Sequence, residues 1–229
     1  MKNDRKKHLA IGIFAMGICM IADWLLDMKG SGNVTKDFVE SNWVNMSMWR
    51  FEVSLLIGAV VVPLYWVSAK EMLIMFDEGC KKQQKMDRIM EKIFRIGVLS
   101  AAFSWVFIHI ECCMLPIMFK CMKSSMVSTA VATEIVNNTA MYMMIPFCIY
   151  FLLADGCISI GWIYMAWNKK IGIKRWQIIC CPLFTLILSA ILDMVPVLNQ
   201  ITGAFETMGH FLMLIVMFTV ANKNKKQIN

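Results

Sequence analysis

Two histidines and five acidic residues occupy segments of this sequence that are otherwise strongly apolar. His109 and Glu111 lie two positions apart in the stretch FIHIECC, and Glu206 and His210 lie four positions apart. Imidazole and carboxylate groups bind divalent metals, transfer protons and bind cationic ligands. An ionisable side chain inside a membrane is costly, so each one needs a partner or a function. The candidate residues are Asp23, Glu52, His109, Glu111, Asp193, Glu206 and His210.

One hypothesis for these residues is a metal site. His109, His210, Glu206 and Asp193 would supply nitrogen and oxygen ligands suited to zinc or another divalent metal. A metal with an open coordination position could activate water against a lipid or an amide. An intramembrane metal-dependent hydrolase is therefore one alternative. Haem ligation by His109 and His210 is a further one, although the surrounding carboxylates argue against it.

A second hypothesis is a ligand-binding chamber. Carboxylates and imidazoles below a membrane surface could bind or transport a small, cationic or amphiphilic molecule, or relay protons. A third hypothesis is purely structural, because hydrogen bonds between histidines and acids also hold helices together, with about 0.6 kcal/mol each on average. If the residues have a function, the sequence favours binding or transport.

The segments that carry these residues are predicted to be transmembrane helices. The 229 residues are 59% hydrophobic and 17% charged, which is more apolar surface than a soluble domain of this length can bury. Several segments approach the length of about twenty residues that crosses the hydrocarbon core. The sequence predicts an all-α, polytopic membrane helix bundle that forms a single domain over residues 1–229. Its six spans are expected at about 9–28, 48–68, 94–119, 141–167, 178–198 and 203–221.

The basic residues predict the orientation of this bundle. Residues 1–8, 69–95 and 168–177, together with the C-terminal tail, carry 18 of the 23 Lys and Arg residues. These segments alternate with the less basic ones, so the positive-inside rule places both termini in the cytoplasm. Segment 69–95 has apolar residues at helical spacing and is predicted to be an amphipathic cytoplasmic segment between helices 2 and 3. It would lie on the inner surface, extend the two spans or bind a partner.

Depth can be counted along each span at about 1.5 Å per residue. His109 and Asp23 then lie about 21 Å from the inner surface, and Asp193 about 24 Å. The candidate residues are therefore predicted to share the outer third of the bilayer. His109 and Glu111 differ by about 200° around their helix, so His109 is expected to face inward and Glu111 to face the surface. Asp155 is expected in the inner half, outside this cluster.

The sequence lacks the motifs of several common classes of enzymes and binding proteins. The nine cysteines lack the spacing of redox or zinc motifs and are expected to be structural. No nucleic-acid module, P-loop or catalytic serine elbow is visible. The expected partners are the lipid bilayer and a small-molecule or lipid ligand.

Three short motifs resemble a known family. They are IADWLLD in the first span, GWIYMAW followed by a short basic loop, and GHFLMLIVMF in the sixth span. With the order of the hydrophobic segments, they resemble a bacterial family of six-span membrane proteins of unknown function. The resemblance implies a location in a bacterial plasma membrane and implies no activity.

Overall fold

The computed structural model describes residues 2–26, 43, 45–80, 85–195, 198 and 201–226. All regular elements in these ranges are helical, as the sequence predicts. Short 3-10 turns lie at Lys170–Gly172, Arg175–Ile179 and Thr202–Ala204, and a π-helical turn lies at Leu152–Gly156. The α-helices are α1 Lys2–Leu26, α2 Met48–Cys80, α3 Lys85–Ser124, α4 Thr129–Phe151, α5 Cys157–Trp167, α6 Pro182–Leu192 and α7 Phe205–Lys226.

Five helical segments are long and apolar enough to cross a membrane. They are Asp4–Leu26, Met48–Cys80, Lys85–Ser124, Thr129–Trp167 and Thr202–Asn222. These lengths and compositions indicate a multi-pass membrane protein.

The expected span at 178–198 differs from the other five. In its place the structure has the 3-10 turn Arg175–Ile179 and then α6, which has 11 residues and a length of about 16 Å. Pro182 is the first residue of α6, where its missing backbone N–H costs no helical hydrogen bond, so this position favours the start of a helix. The prediction of six full-length spans is therefore corrected to five long helices and one short apolar helix.

The segment at 69–95 extends the helices on either side of it. α2 continues to Cys80 and α3 begins at Lys85, so the described part of the segment contains no separate helix along a surface. The α2 extension is fixed to α1 by ion pairs. Arg5 lies 3.4 Å from Glu71 and 2.9 Å from Glu78, and His8 lies 2.7 Å from Glu71.

Packing of the helices follows a simple order. α1 packs against α2 and α7, α3 packs against α2 and α5, and α6 packs against α7. α1 and α7 run antiparallel, because Asp23 contacts Thr207 near one end and Gly12 lies beside Leu214 toward the other. The core between α2 and α3 contains the stacked rings of Phe76 and Phe94, whose centroids are 4.4 Å apart.

Two glycines allow close helix contacts. A Cβ atom on Gly97 of α3 would lie 2.6 Å from the backbone nitrogen of Ile158 in α5. A Cβ atom on Gly209 of α7 would lie 2.6 Å from Pro182, at the start of α6. Any side chain at these positions would push the helices apart. These two glycines therefore let α3 approach α5 and α7 approach α6 closely.

Candidate functional site

A cavity of about 310 Å³ lies among α1, α2, α3, α4 and α7. Three of the predicted site residues line it: Asp23 from α1, His109 from α3 and Glu206 from α7. Within the described residues, its lining contains no Lys or Arg. The lining residues are Cys19, Asp23, Leu26, Trp43, Gly58, Val62, Trp105, Ile108, His109, Cys112, Leu115, Phe147, Gly203 and Glu206.

His109 is held between α1 and α2. Its Nδ1 lies 3.5 Å from Oδ1 of Asp23, and Oδ2 of the same carboxylate accepts a hydrogen bond of 2.5 Å from the Thr207 hydroxyl. Its Nε2 lies 3.0 Å from the backbone oxygen of Ser54. Donation from Nε2 to that oxygen leaves Nδ1 as the nitrogen that faces Asp23. The contacts fix the orientation of the ring at the cavity wall.

Gly58 makes room for this ring. A Cβ atom at Gly58 would lie 2.2 Å from Cδ2 of His109, much closer than any real contact. The absence of a side chain on α2 therefore lets α3 place the imidazole against the α2 backbone. Gly58 lies four positions after Ser54, on the same face of α2. The position of His109 therefore depends on both residues of this helix turn.

The order Ser54, His109, Asp23 resembles that of a catalytic triad. The Ser54 hydroxyl lies 3.2 Å from Nε2 of His109, but it donates its hydrogen bond to the Ala22 carbonyl at 2.8 Å. Ser54 is also fully buried and is not among the residues that line the cavity. A substrate in the cavity would not reach its oxygen, so the arrangement orients His109 and does not activate a nucleophile.

Glu206 receives two hydrogen bonds on one oxygen. The indole N–H of Trp105 and the hydroxyl of Tyr150 each lie 3.2 Å from Oε1. The carboxyl group of Glu206 also interacts directly with that of Asp155. Glu206 thus belongs both to the cavity wall and to a second polar group behind it.

The second polar group is centred on His210, which is almost completely buried. Nε2 of His210 lies 2.9 Å from Oδ1 of Asp155, and its Nδ1 lies 3.1 Å from the Tyr65 hydroxyl. Both ring nitrogens therefore have protein partners. Oδ2 of Asp155 is buried and has no hydrogen-bond donor among the described residues.

The expected position of Asp155 outside the cluster is wrong. Glu206 and His210 lie one turn apart on α7, so the polar contacts extend along that helix to the point where Asp155 meets it. The π-helical turn Leu152–Gly156 then contains Asp155 and places it against α7. Such turns insert one residue into a helix and are frequent at functional sites.

Besides His210, three of the predicted site residues lie away from the cavity wall. Glu52 and Glu111 are exposed. Glu111 faces away because it lies two residues from the inward-facing His109. Asp193 is also exposed, follows the last residue of α6 and accepts a hydrogen bond of 2.5 Å from the Thr202 hydroxyl.

The metal ligand set expected from His109, His210, Glu206 and Asp193 is not assembled. In the ranges that the structure describes, no group of three or more His, Cys, Asp or Glu side chains could hold a metal ion. The nitrogens of His210 are engaged by Tyr65 and Asp155, and Asp193 lies at the end of α6. The geometry supports neither a zinc-dependent hydrolase nor haem ligation through both histidines.

Trp43, which precedes α2 in the chain, forms part of the cavity wall. Its ring packs edge-on against Phe51 and Phe119, with ring centroids 6.5 and 6.3 Å away. Lys120 donates hydrogen bonds to the carbonyl oxygens of Trp43 and Met46, at 3.1 and 2.7 Å. The lysine thereby fixes these two residues to the end of α3.

Several residues of the site were not predicted from the sequence. Tyr65, Trp105, Tyr150 and Thr207 donate or share the hydrogen bonds that hold the acids and histidines. Trp105 carries a usable signal, because it lies in the middle of a predicted span instead of at an interface. The other three have common residue types for a helix interface and no distinctive spacing.

The fold and the site define a class: an all-helical protein with the long apolar helices of multi-pass membrane proteins and with a polar cluster between them. The chain belongs to the family of unknown function DUF6796, whose model matches residues 1–224. The resemblance to a family of unknown function is therefore confirmed over nearly the whole chain. No curated protein and no solved structure matches the chain.

Proposed function

We propose that this protein binds or transports a small or amphiphilic ligand in the cavity that Asp23, His109 and Glu206 line. The observation that carries the proposal is the meeting of these three side chains, from three helices, at a cavity of about 310 Å³. Ligand sites commonly have volumes of about 300–1,000 Å³ and combine apolar walls with a few convergent polar groups. The cavity has this composition.

The proposal includes a topology in a bacterial plasma membrane with both termini in the cytoplasm. The basic segments support it, since 18 of 23 Lys and Arg residues lie at one set of helix ends. The antiparallel contact of α1 with α7 supports termini on the same side. With five long helices, this requires the chain between α5 and α7 to cross once more, and residues 175–192 would do so as an interrupted crossing. The cavity would then lie nearer the outer surface.

Cysteine modification tests whether the cavity can be entered. Cys112 lines the cavity, and Cys121 near the end of α3 is exposed. Neutral methyl methanethiosulfonate is expected to modify both thiols of the full chain in lipid nanodiscs, as read by peptide mass spectrometry. Val62→Phe should slow modification of Cys112, because Val62 lines the cavity and is 7% exposed.

The matched control is Val60→Phe, on the same helix. Val60 is 61% exposed and does not line the cavity, so its substitution should leave modification of Cys112 unchanged. An unreactive Cys112 beside a fully modified Cys121 would contradict a ligand cavity. It would favour the alternative that the polar contacts only hold the helices together.

A further inference from the structure

Three carboxyl groups of the polar cluster lie close together, and among the described residues neither Lys nor Arg is paired with them. Asp23 and Glu206 line the cavity, and Asp155 interacts with Glu206 from behind the wall. In the part of the chain that the structure describes, their hydrogen-bond and ion-pair partners are hydroxyls, one indole, the two histidines and, between Asp155 and Glu206, the two carboxyl groups themselves. These partners include no Lys or Arg residue.

Asp155 adds an independent observation, an acceptor atom that lacks a donor. The residue is 3% exposed, and its Oδ2 has no hydrogen-bond donor among the described residues. Buried acids normally have a compensating donor or a cation beside them. The cluster therefore has an uncompensated acceptor directly behind the carboxylate that reaches the cavity.

Aromatic side chains contribute to the cavity wall beside these acids. Trp43, Trp105 and Phe147 line it together with the aliphatic Val62, Ile108 and Leu115. Trp105 also donates its indole N–H to Glu206, which fixes the ring beside the carboxylate. Aromatic faces attract ammonium ions, most strongly where water is excluded, and adjacent carboxylates strengthen that attraction.

From the acids, the orphaned acceptor and the aromatic wall together, we infer that the cavity selects small organic cations of the ammonium type. The inference rests on the proposed function, because it names the ligand class of the same cavity. Asp23 and Glu206 supply the negative charge at the wall, and Trp43, Trp105 and Phe147 supply the apolar surface for the substituents on nitrogen. An anionic ligand would meet two carboxylates and, among the lining residues, neither Lys nor Arg, with the His109 imidazole already beside Asp23.

The volume limits the cation to a small one. A cavity of about 310 Å³ is at the lower end of the range for small-molecule sites. A small quaternary or alkyl amine would fit in a cavity of this volume, whereas a phospholipid would have to leave most of its two acyl chains outside. A headgroup amine of a lipid and a free amine share the same chemistry.

Charged thiol reagents test this inference on Cys112. The rate of modification is measured with trimethylammonium-ethyl methanethiosulfonate and with sulfonatoethyl methanethiosulfonate, each divided by the rate of the same reagent with free mercaptoethanol. The cationic reagent is expected to be favoured by about tenfold or more, because the cavity attracts one charge and repels the other. Asp23→Asn and Glu206→Gln should each reduce the preference severalfold while keeping the shape of the side chain.

The matched control is Glu111→Gln, which removes an exposed acid of α3 outside the cavity wall. It should leave the preference unchanged. Equal rates for the two charged reagents, with normal modification by the neutral reagent, would overturn the inference and leave the proposed cavity intact. Such equal rates would indicate that protons alone neutralise the carboxyl groups. Failure of the neutral reagent to modify Cys112 would overturn both.

A second measurement separates a lipid from a free amine. Tetramethylammonium chloride and ethanolamine, added to nanodiscs of phosphatidylglycerol alone, are expected to slow modification of Cys112 by the neutral reagent. Nanodiscs that contain phosphatidylethanolamine would slow it without added amine if a lipid headgroup occupies the cavity. Protection by neither source would overturn the inference.

Discussion

Nε2 of His210 lies 2.9 Å from Oδ1 of Asp155, which joins α7 to the π-helical turn between α4 and α5. The Tyr65 hydroxyl engages the other ring nitrogen, so the imidazole connects three parts of the bundle. Because Asp155 also interacts with Glu206, this buried pair lies directly behind the cavity wall. The pair supports the site and does not itself reach the cavity.

Asp155 should tolerate amidation better than truncation. Asp155→Asn keeps an acceptor for His210 and adds N–H donors at the carboxyl that now has an orphaned oxygen. We expect it to retain or raise the free energy of unfolding. Asp155→Ala leaves His210 without its partner and should lower that free energy by about 1–3 kcal/mol. Denaturant titration in nanodiscs measures both. The exposed Glu111→Ala is the comparison, and a loss as large there as in Asp155→Ala would count against a special role of the buried pair.

Gly58 should be intolerant of a side chain only while His109 is present. The Cβ atom of Gly58→Ala would overlap the imidazole, so we expect a loss of about 1–3 kcal/mol of unfolding free energy. In a His109→Ala background the same change should cost much less. The double-mutant cycle measures this difference, and Ala59→Val on the exposed side of α2 provides the neutral comparison. An equal cost of Gly58→Ala in both backgrounds would show that the ring does not pack there.

Lys120 should control access to the cavity. Lys120→Met removes the hydrogen bonds that fix the Trp43 and Met46 carbonyls. Trp43 should therefore move away from the cavity wall more often. We expect severalfold faster modification of Cys112 by the neutral thiol reagent. Lys123→Met is the matched control, since Lys123 binds Val127 and Thr129 at the turn between α3 and α4. Equal acceleration by the two variants would point to a general loosening of α3.

Gly97 should be essential for the contact between α3 and α5. In Gly97→Ala the new methyl group would meet the backbone of Ile158 at 2.6 Å, and backbone cannot yield as a flexible side chain can. We expect a loss of about 1–3 kcal/mol of unfolding free energy. Gly17→Ala, where the nearest atom would be 3.7 Å away, should have little effect. Similar stabilities of the two variants would contradict the close approach of α3 and α5.

Hydrophobic patterning predicted the helical membrane class and the approximate position of five helices. It left open whether segment 69–95 extends the two spans, and the structure has α2 and α3 continuing into it. Charged residues such as Lys70 and Arg95 remain good helix formers beyond the apolar part of each helix. Hydrophobic patterning could not detect the interruption at Pro182, since the residues around it are as apolar as those of a full span.

Part of the candidate site could be predicted from the sequence. Depth counting placed Asp23, His109, Glu206 and His210 at similar levels, and the structure has Asp23 beside His109 and Glu206 beside Trp105. Depth counting does not give the direction in which a side chain points. Glu52 is exposed for that reason although its level suits the cluster. Asp155 is part of the cluster because the polar contacts do not form a single layer: His210 lies one turn further along α7 than Glu206 and meets Asp155 there.

The convergence of polar side chains from separate helices is tested most directly by cysteine cross-linking. The side-chain oxygens of Asp23 and Thr207 are 2.5 Å apart, so Asp23→Cys with Thr207→Cys should form a disulfide between α1 and α7 on mild oxidation. The product is identified by peptide mass spectrometry. Glu111→Cys with Thr207→Cys should remain reduced, because Glu111 is exposed on α3. Efficient cross-linking of the first pair alone is the predicted result. No cross-link at that pair, or equal cross-linking of both pairs, would contradict the arrangement of the site.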